Sequence, residues 1–304
     1  MPASVLARAL RTYVRHAPGT LGKAQIVDRF LDEHLRTHPV HTTVRLRSGD
    51  TVPVTTSDVI QRFQYLFGEW EPNQSAFLRD RLHPGDTFID VGAHRGAFSL
   101  LASHAVGPHG RVVAIELHPR FHDDLTAAAA ANRRTNIHTV RSAASDTTGA
   151  LTLYLEDPSN LGHTTAIRPR HVHATAEVPI APVRPDQPGR PRHHARHQDR
   201  RRRRRSRRDP RTPARTPVPA RRRRARRRDH PRLLAKQGES AAAIIATLRT
   251  HGFHPYTLTN DYDPATYPRA MCRPQPPIRC TTTPKDMTDL VFARTDATSL
   301  PLAP

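Results

Sequence analysis

Several features that often decide a protein's class are missing from this sequence. Two cysteines among 304 residues are too few for a disulfide framework, and their spacing fits no four-ligand zinc pattern. No apolar run approaches the roughly 20 residues of a membrane-spanning helix, and the N-terminus lacks the continuous apolar centre of a signal peptide. We therefore expect a cytoplasmic protein with two free thiols, Cys272 and Cys280, and with no metal site or membrane span.

Apolar residues are also scarce, at 36% of the chain, while the formal charge reaches +21 and proline contributes 29 residues. Such averages are typical of nucleic-acid-binding or disordered proteins. The charge is local, however, because residues 182–229 hold 21 arginines against four aspartates and no lysine, a net +17. The rest of the chain carries about +4, which is an ordinary value for an enzyme.

Hydrophobic periodicity predicts regular elements on both sides of this arginine-rich segment. The N-terminal elements predicted are a helical region at 5–38, a hairpin at 43–54, and helices at 58–66 (capped by Ser57) and 73–82. The central and C-terminal elements predicted are strands at 87–91, 111–116, 136–140, 150–155, 255–258 and 290–293, and helices at 96–105, 119–132 and 240–251. Strands and helices that alternate through short loops predict an α/β fold, with a mostly parallel sheet and helices on both faces.

The most informative motif follows the first central strand. Residues 88–96 read Phe-Ile-Asp-Val-Gly-Ala-His-Arg-Gly, and their glycines allow a tight turn and a close approach of backbone to a ligand. Glu116 closes the next strand 20 residues after Gly96, where a carboxylate can accept both hydroxyls of a ribose. The alternatives are a turn without a ligand and, for Glu116, a solvated strand end.

A ribose-binding carboxylate at this position suits either a dinucleotide or S-adenosylmethionine. The loop lacks the full Gly-x-Gly-x-x-Gly pattern that holds a pyrophosphate, and Asp90 at its head would repel a phosphate. A sulfonium cofactor with an ammonium group tolerates nearby carboxylates. The motif therefore favours S-adenosylmethionine.

The sequence also resembles the FkbM-type methyltransferase family. The matching residues are Gly85-Asp86, Ile89 to Gly96, Gly110 to Glu116, Ala143 to Asp146, Leu151 to Tyr154 and the upstream Glu69-Trp70-Glu71-Pro72. His94 stands where the family usually has Asn, and Leu117-His118-Pro119 replaces the commoner Glu-Pro-x-Pro. The resemblance implies a Rossmann-like class I methyltransferase fold that binds S-adenosylmethionine and methylates a hydroxyl of a small molecule or sugar.

The resemblance places the cofactor across the carboxyl ends of the strands, with residues 92–96 around its amino acid part. Asp146 either touches the adenine edge or caps a turn, and Glu71 either faces the amino acid end of the cofactor or is a surface carboxylate. No catalytic base is identified. The predicted cofactor-binding residues are Asp90, Gly92, Ala93, Gly96, Glu116, Asp146 and Glu71.

The family has a further element, Lys-Ile-Asp-Val-Glu-Gly-Ala-Glu, that this sequence lacks. In its place stand Gln198 to Ser206, and their codons, read one base later, can spell those eight residues. CAA-GAT-CGA-CGT-CGA-AGG-CGC-CGA-AGC then becomes AAG-ATC-GAC-GTC-GAA-GGC-GCC-GAA. Arg228-Asp229 can likewise hide Glu-Ile before His230-Pro231. We interpret residues from about 183 to 229 as translated in a shifted frame, and expect them to be disordered and the sheet to be incomplete.

Three functional hypotheses remain. The chain is a working methyltransferase with a small-molecule acceptor, an inactive product derived from one, or a basic protein that binds nucleic acid through the arginine-rich segment. That segment has no Phe, Tyr or Trp for base stacking, so we expect any nucleic-acid binding to be adventitious. The predicted organisation is an N-terminal region (1–82), a first methyltransferase part (83–182), the arginine-rich segment (183–229), a second methyltransferase part (230–296) and a tail (297–304). Nothing in the sequence sets the oligomeric state.

Overall fold

The N-terminal part of the chain forms helices around a short antiparallel hairpin. The computed structural model describes residues 3–145, 149–155, 174–182, 195–197, 224–229, 241–284 and 288–302. The N-terminal elements are α1 (Ala3–His16), α2 (Lys23–Ile26), a π-helical turn (Val27–Leu31), α3 (Asp32–Thr37), β1 (His41–Arg45), β2 (Thr51–Thr55), α4 (Val59–Phe67) and α5 (Pro72–Arg81). These elements confirm the predictions for this region within a few residues. The predicted cap of α4, Ser57, was wrong. Asp58 instead accepts the Gln61 N–H at 2.9 Å, because its extended backbone lets the carboxylate reach the first turn.

A sheet of eight strands forms the centre of the molecule. Its elements in chain order are β3 (Thr87–Val91), α6 (Ala97–Val106), β4 (Arg111–Glu116), α7 (Pro119–Ala131), β5 (Ile137–Arg141), β9 (Ala195–His197), β10 (Arg224–Asp229), α8 (Ala241–Thr250), β11 (His254–Leu258), α9 (Tyr267–Cys272), β12 (Ile278–Arg279) and β13 (Thr288–Ala293). The strand order is β12-β11-β13-β10-β9-β3-β4-β5. β3, β4 and β5 are parallel, so the carboxyl ends of β3 and β4 meet at one edge of the sheet.

The chain leaves β3 in one direction toward β5 and returns to the other side of β3 with β9. The point between β3 and β9 is therefore the topological switch, where α/β sheets of this kind open a crevice for ligands. This architecture confirms the predicted Rossmann-like α/β fold.

β9 and β10 come from the arginine-rich segment and correct one expectation. β9 pairs in parallel with β3 and with β10, and β10 pairs with β13, so no central strand is missing between β3 and β13. The ladder is made by main-chain N–H and C=O groups, which arginine supplies as well as any other residue except proline. The other residues of 183–229 lie outside the described part of the chain, so the disorder expected of them stays a prediction.

The predicted strand at 150–155 lies outside the central sheet. It is β7 (Gly149–Leu155), which pairs antiparallel with β8 (Ala174–Pro182), and β8 pairs in parallel with β6 (Ala143–Ser145). These three strands form a separate small sheet that follows β5.

Apolar side chains bury both faces of the central sheet. Phe88 and Val112 join the large core on one face, while Ile89 and Val113 pack together on the other. At β11 and β13, α5 contributes Phe77 to one face, and α8 contributes Ile245 to a cluster with Leu290 and Phe292. α5 also packs beside α6, which places its first turn at the carboxyl edge of the sheet, between the switch point and β11.

Two predictions, one on the cysteines and one on membrane-spanning helices, can be compared with the described residues. Cys272 and Cys280 are free, as expected. No helix among the described residues is long and apolar enough to cross a membrane. The cellular compartment and the domain boundaries stay predictions.

Candidate functional site at the carboxyl edge of the sheet

The turn from Gly92 to Gly96 is held tightly against the end of β4. The N–H groups of Gly92 and Ala93 both donate to the Ile115 carbonyl, at 2.8 and 3.0 Å. The φ angles of Gly92 and Gly96 are 74° and 83°, which favour glycine. A Cβ atom on Gly96 would lie 2.3 Å from Cδ1 of Leu125, so α7 packs where a side chain would stand.

His94 occupies the third position of this turn with φ at 53°. Asn and His are among the residues that tolerate this left-handed region better than most, so a histidine can stand at this position of the turn. The His94 N–H donates to Oε2 of Glu116 at 2.7 Å, which ties the turn to the end of β4.

Glu116 is buried rather than a solvated strand end, with 5% of its surface exposed. Oε2 accepts from the His94 N–H and Oε1 from the His118 N–H, both at 2.7 Å, and the Leu117 main chain adds a further hydrogen bond. Burial raises the pKa of the Glu116 carboxyl to about 7, and this effect outweighs the backbone hydrogen bonds, which lower it. The charge of Asp90 adds a smaller upward contribution. The carboxylate is therefore fixed in orientation by main-chain groups.

Asp90 lies fully buried on β3, one residue from its end. Oδ2 of Asp90 accepts from the Ser99 hydroxyl of α6 at 2.8 Å, which fixes the carboxylate between strand and helix. The structure thus brings five of the predicted residues together: Asp90, Gly92, Ala93, Gly96 and Glu116.

A cluster of three rings beside Glu116 was not predicted from the sequence. The Phe121 ring lies 3.9 Å from the His94 ring and 4.4 Å from the His118 ring, measured between centroids. Nδ1 of His118 is buried without a hydrogen-bond partner among the described residues, and burial lowers the pKa of this imidazole. The signal in the sequence was an aromatic residue in the first turn of the helix that follows the acidic strand end.

Glu71 is almost fully buried, with 1% of its surface exposed, so it is not a surface carboxylate. Its φ is 47°, a strained value for a residue with a side chain. The Tyr262 hydroxyl donates to Oε1 of Glu71 at 3.1 Å, and the Glu71 N–H lies 3.3 Å from the Tyr267 hydroxyl. Two tyrosines from the C-terminal part therefore fix Glu71 at the start of α5. Asp146, the other predicted site residue, lies outside the described residues.

No family model matches the chain, and no curated protein matches it either. Solved structures share part of its arrangement. FkbM methyltransferase from Methylobacillus flagellatus KT is 12% identical over 77% of this chain and 52% of its own, with a TM-score of 0.27. A SAM-dependent methyltransferase from Aquifex aeolicus is 21% identical over 28% of this chain and 44% of its own, with a TM-score of 0.23.

A third such structure is fibrillarin from Aeropyrum pernix with natively bound S-adenosyl-L-methionine. It is 22% identical over 33% of this chain and 51% of its own, with a TM-score of 0.22. This chain spans about half the length of each of the three structures, or less. TM-scores this low decide neither family nor activity. The fold assignment rests on the strand order and on the parallel β3-β4-β5 unit.

Proposed function

We propose that this chain is an S-adenosylmethionine-dependent methyltransferase of the FkbM type, with a hydroxyl of a small molecule or sugar as the methyl acceptor. One observation supports it above the others. A buried glutamate at the end of β4 is fixed by main-chain hydrogen bonds, directly beside a glycine turn at the switch point of the sheet. Ligands of such sheets bind at this point.

The donor groups of this site fit S-adenosylmethionine chemically. Glu116 would accept ribose hydroxyls with the lone pairs that its backbone hydrogen bonds leave free. Asp90 and Glu116 make the crevice negative, which suits a sulfonium and an ammonium group and disfavours a pyrophosphate. Gly92, Ala93 and Gly96 would lie around the amino acid part, Glu71 would face the same end, and Asp146 would touch the adenine edge.

The bound cofactor would supply an activated methyl group. Transfer requires the acceptor oxygen, the methyl carbon and the sulfur in line, so the protein acts mainly by positioning. The tight fixation of the Gly92–Gly96 turn and of Glu116 serves this purpose, because a fixed carboxylate sets the ribose, and with it the sulfur, in one place.

Calorimetric titration with S-adenosylhomocysteine tests the proposal. We expect the chain to bind, and Glu116→Ala to weaken binding at least tenfold, because two hydrogen bonds to a charged group are lost. Glu33→Ala is the matched control, since Glu33 is an exposed glutamate of α3 whose ion pair with Arg36 lies on the surface. If folded chain does not bind, or if both variants bind equally well, the proposed function is wrong.

A further inference from the structure

Exposed apolar side chains are concentrated in the first elements of the chain, away from the sheet. Among the described residues, eight large apolar side chains are exposed, and three of them stand singly on α4, β5 and β12. The other five lie within 26 residues of one another: Val5, Leu6, Tyr13, Leu21 and Phe30. Single exposed apolar residues are normal, whereas a concentration of them marks an interaction surface.

Leu21 stands at the tip of the loop between α1 and α2, with 83% of its surface exposed. The Lys23 N–H donates to the Thr20 carbonyl at 3.2 Å, which closes a turn around Leu21. The Tyr13 hydroxyl donates to the Leu21 carbonyl at 2.7 Å, and the Lys23 ammonium donates to the Ala17 carbonyl. These bonds fasten the turn to α1, so the outward position of Leu21 is built into the fold.

The helical elements on both sides of this loop carry the other exposed apolar side chains. Leu6 and Tyr13 are seven residues apart on α1 and so lie on the same side of the helix, where Leu10 between them packs against the core. The π-helical turn packs on α1 and carries Phe30, 59% exposed, next to the fully buried Leu31. The exposed residues thus belong to one packed unit, residues 3–31.

The same unit is basic. Residues 3–31 contain four arginines and one lysine against a single acidic residue, Asp28, which gives a net charge of +4. Arg8 and Arg29 are exposed. Arg11 and Arg15 donate to main-chain carbonyls of α4, which are uncharged groups and do not neutralise them. The unit therefore combines positive charge with exposed apolar side chains.

An anionic lipid bilayer fits this combination better than a protein partner does. Leucine and aromatic side chains insert at the boundary between headgroups and acyl chains, while arginine binds anionic headgroups. A protruding leucine needs a pocket on a protein partner, whereas a fluid bilayer receives it without one. Like charge disfavours a second copy of this unit as the partner, and also the arginine-rich residues 182–229, whose net charge is +17.

We propose that residues 3–31 attach this protein to the surface of an anionic membrane. The exposed apolar side chains, with Leu21 foremost, insert roughly 5–10 Å into the boundary between headgroups and acyl chains. Arg8 and Arg29 bind the anionic headgroups. Attachment of this kind lies on the membrane and needs no spanning helix. It does not depend on the proposed methyltransferase function, because other residues form the two surfaces.

Tryptophan fluorescence of a full-length Leu21→Trp variant tests the insertion directly. The native chain has one tryptophan, Trp70, which is buried and gives a constant background. Vesicles of phosphatidylglycerol and phosphatidylcholine should shift the Leu21→Trp emission to the blue, and acyl-brominated lipids should quench it. Ile278→Trp is the matched control, because Ile278 is 55% exposed but lies on β12, and its emission should not change.

Co-sedimentation with the same vesicles measures the contribution of each side chain. We expect Leu21→Ser and Phe30→Ser each to weaken binding about tenfold, since each removes an inserted apolar side chain. Arg8→Gln should weaken it about fivefold. Ile278→Ser should bind as the wild-type chain does. Far-ultraviolet circular dichroism checks the folding of each variant, and the tryptophan variants decide if a serine variant misfolds.

Three results would overturn the attachment. The first is an emission of Leu21→Trp that vesicles leave unchanged. The second is vesicle binding that Leu21→Ser and Phe30→Ser retain in full, which would assign the binding to the arginine-rich residues. The third is a dimer, measured by light scattering, that Leu21→Ser dissociates while Leu21→Trp shows no blue shift with vesicles. That result would assign the apolar side chains to a second copy of the chain.

Discussion

β3 and β10 are hydrogen-bonded into the same sheet, yet their sequences are opposites. β3 reads Thr-Phe-Ile-Asp-Val, and its apolar residues are buried on both faces of the sheet. β10 reads Arg-Ala-Arg-Arg-Arg-Asp, and β9 reads Ala-Arg-His. Central strands of α/β sheets are normally near-continuous apolar runs. The difference shows that main-chain pairing and neighbouring elements can define a strand position even where the side chains in the sequence are unsuited to the centre of a sheet.

We propose that a shift of reading frame across residues from about 183 to 229 produced this mismatch. GCT-CGT-CAT-CAA encodes Ala195 to Gln198; read one base later it gives Leu-Val-Ile, directly before the Lys-Ile-Asp-Val-Glu-Gly reading. CGT-GCT-CGT-CGT-CGA-GAT encodes β10, and one base later it gives Val-Leu-Val-Val-Glu. The genetic code thus permits apolar sequences at both strands in a single shifted frame.

The largest effect is expected from restoring that frame. Resequencing the coding DNA across residues 178–234 should show one extra base near Val183 and one missing base near Asp229. The corrected chain should unfold cooperatively on heating, because its central strands then bury apolar side chains at about 25 cal/mol per Å². The printed chain should unfold at a lower temperature than the corrected chain.

If the reading frame is correct as given, the arginine-rich residues belong to the protein. The difference between the sequences of β3 and β10 then needs another explanation. A salt-sensitive gel shift with DNA or RNA, abolished by deletion of residues 183–229, would then support the nucleic-acid hypothesis. If the bases were found, equal thermal stability of the printed and corrected chains would mean that the restored apolar strands do not stabilise the sheet.

The sequence predicted the fold well where its apolar periodicity was intact. The bounds of β3 and β4 were predicted without error because both strands are continuous apolar runs ended by turn residues. β9 and β10 could not be predicted, since their residues carry no strand pattern and their positions depend on pairing with β3 and β13. Glu116 was placed by its spacing from Gly96.

Other parts of the site depend on contacts between residues that are far apart in the chain. The burial of Glu71 depends on Tyr262 and Tyr267, which are 191 and 196 residues away in the chain. No local pattern reports contacts at such separation, so a surface position looked equally possible for this residue. The ring cluster around Phe121 was missed for a related reason, because it forms only when the Gly92–Gly96 turn closes on α7.

Gly96→Ala tests whether the half of the molecule around β3 is organised independently of β9 and β10. The new Cβ would meet Leu125, which is fully buried, and the φ of 83° would be strained. We expect a loss of about 2–3 kcal/mol of unfolding free energy, measured by urea denaturation. The loss should be the same in the printed and frame-corrected chains, provided both unfold cooperatively.

Gly19→Ala is the matched control for this substitution. Gly19 has a φ of 68°, but a Cβ there would meet no atom within 4 Å, so only the backbone strain remains. We expect a cost of about 1 kcal/mol. Equal costs at Gly96 and Gly19 would mean that α7 does not press on the turn, and that the tight fixation of the site has been overestimated.

The smallest effect is the pH dependence that Glu116 should impose. Only the ionised carboxylate accepts both ribose hydroxyls, so affinity for S-adenosylhomocysteine should fall as the pH falls through about 7, the raised pKa of Glu116. Well below that pKa, each further pH unit should weaken binding about tenfold. Titrations from about pH 8 to about pH 5 measure this, and Glu116→Gln should bind weakly with a flatter profile.

The same raised pKa affects stability with the opposite sign. The folded state holds the Glu116 proton more tightly than the unfolded chain, so this contribution to stability is full below about pH 4.5 and is lost as the pH rises through about 7. As the pH rises through about 7, binding of S-adenosylhomocysteine therefore strengthens while the contribution of Glu116 to folding stability is lost. Burial lowers the pKa of His118, so this imidazole takes up its proton at a lower pH than a free histidine does. Binding that stays constant across this range would mean that Glu116 does not hold the ribose, even though the turn around it is intact.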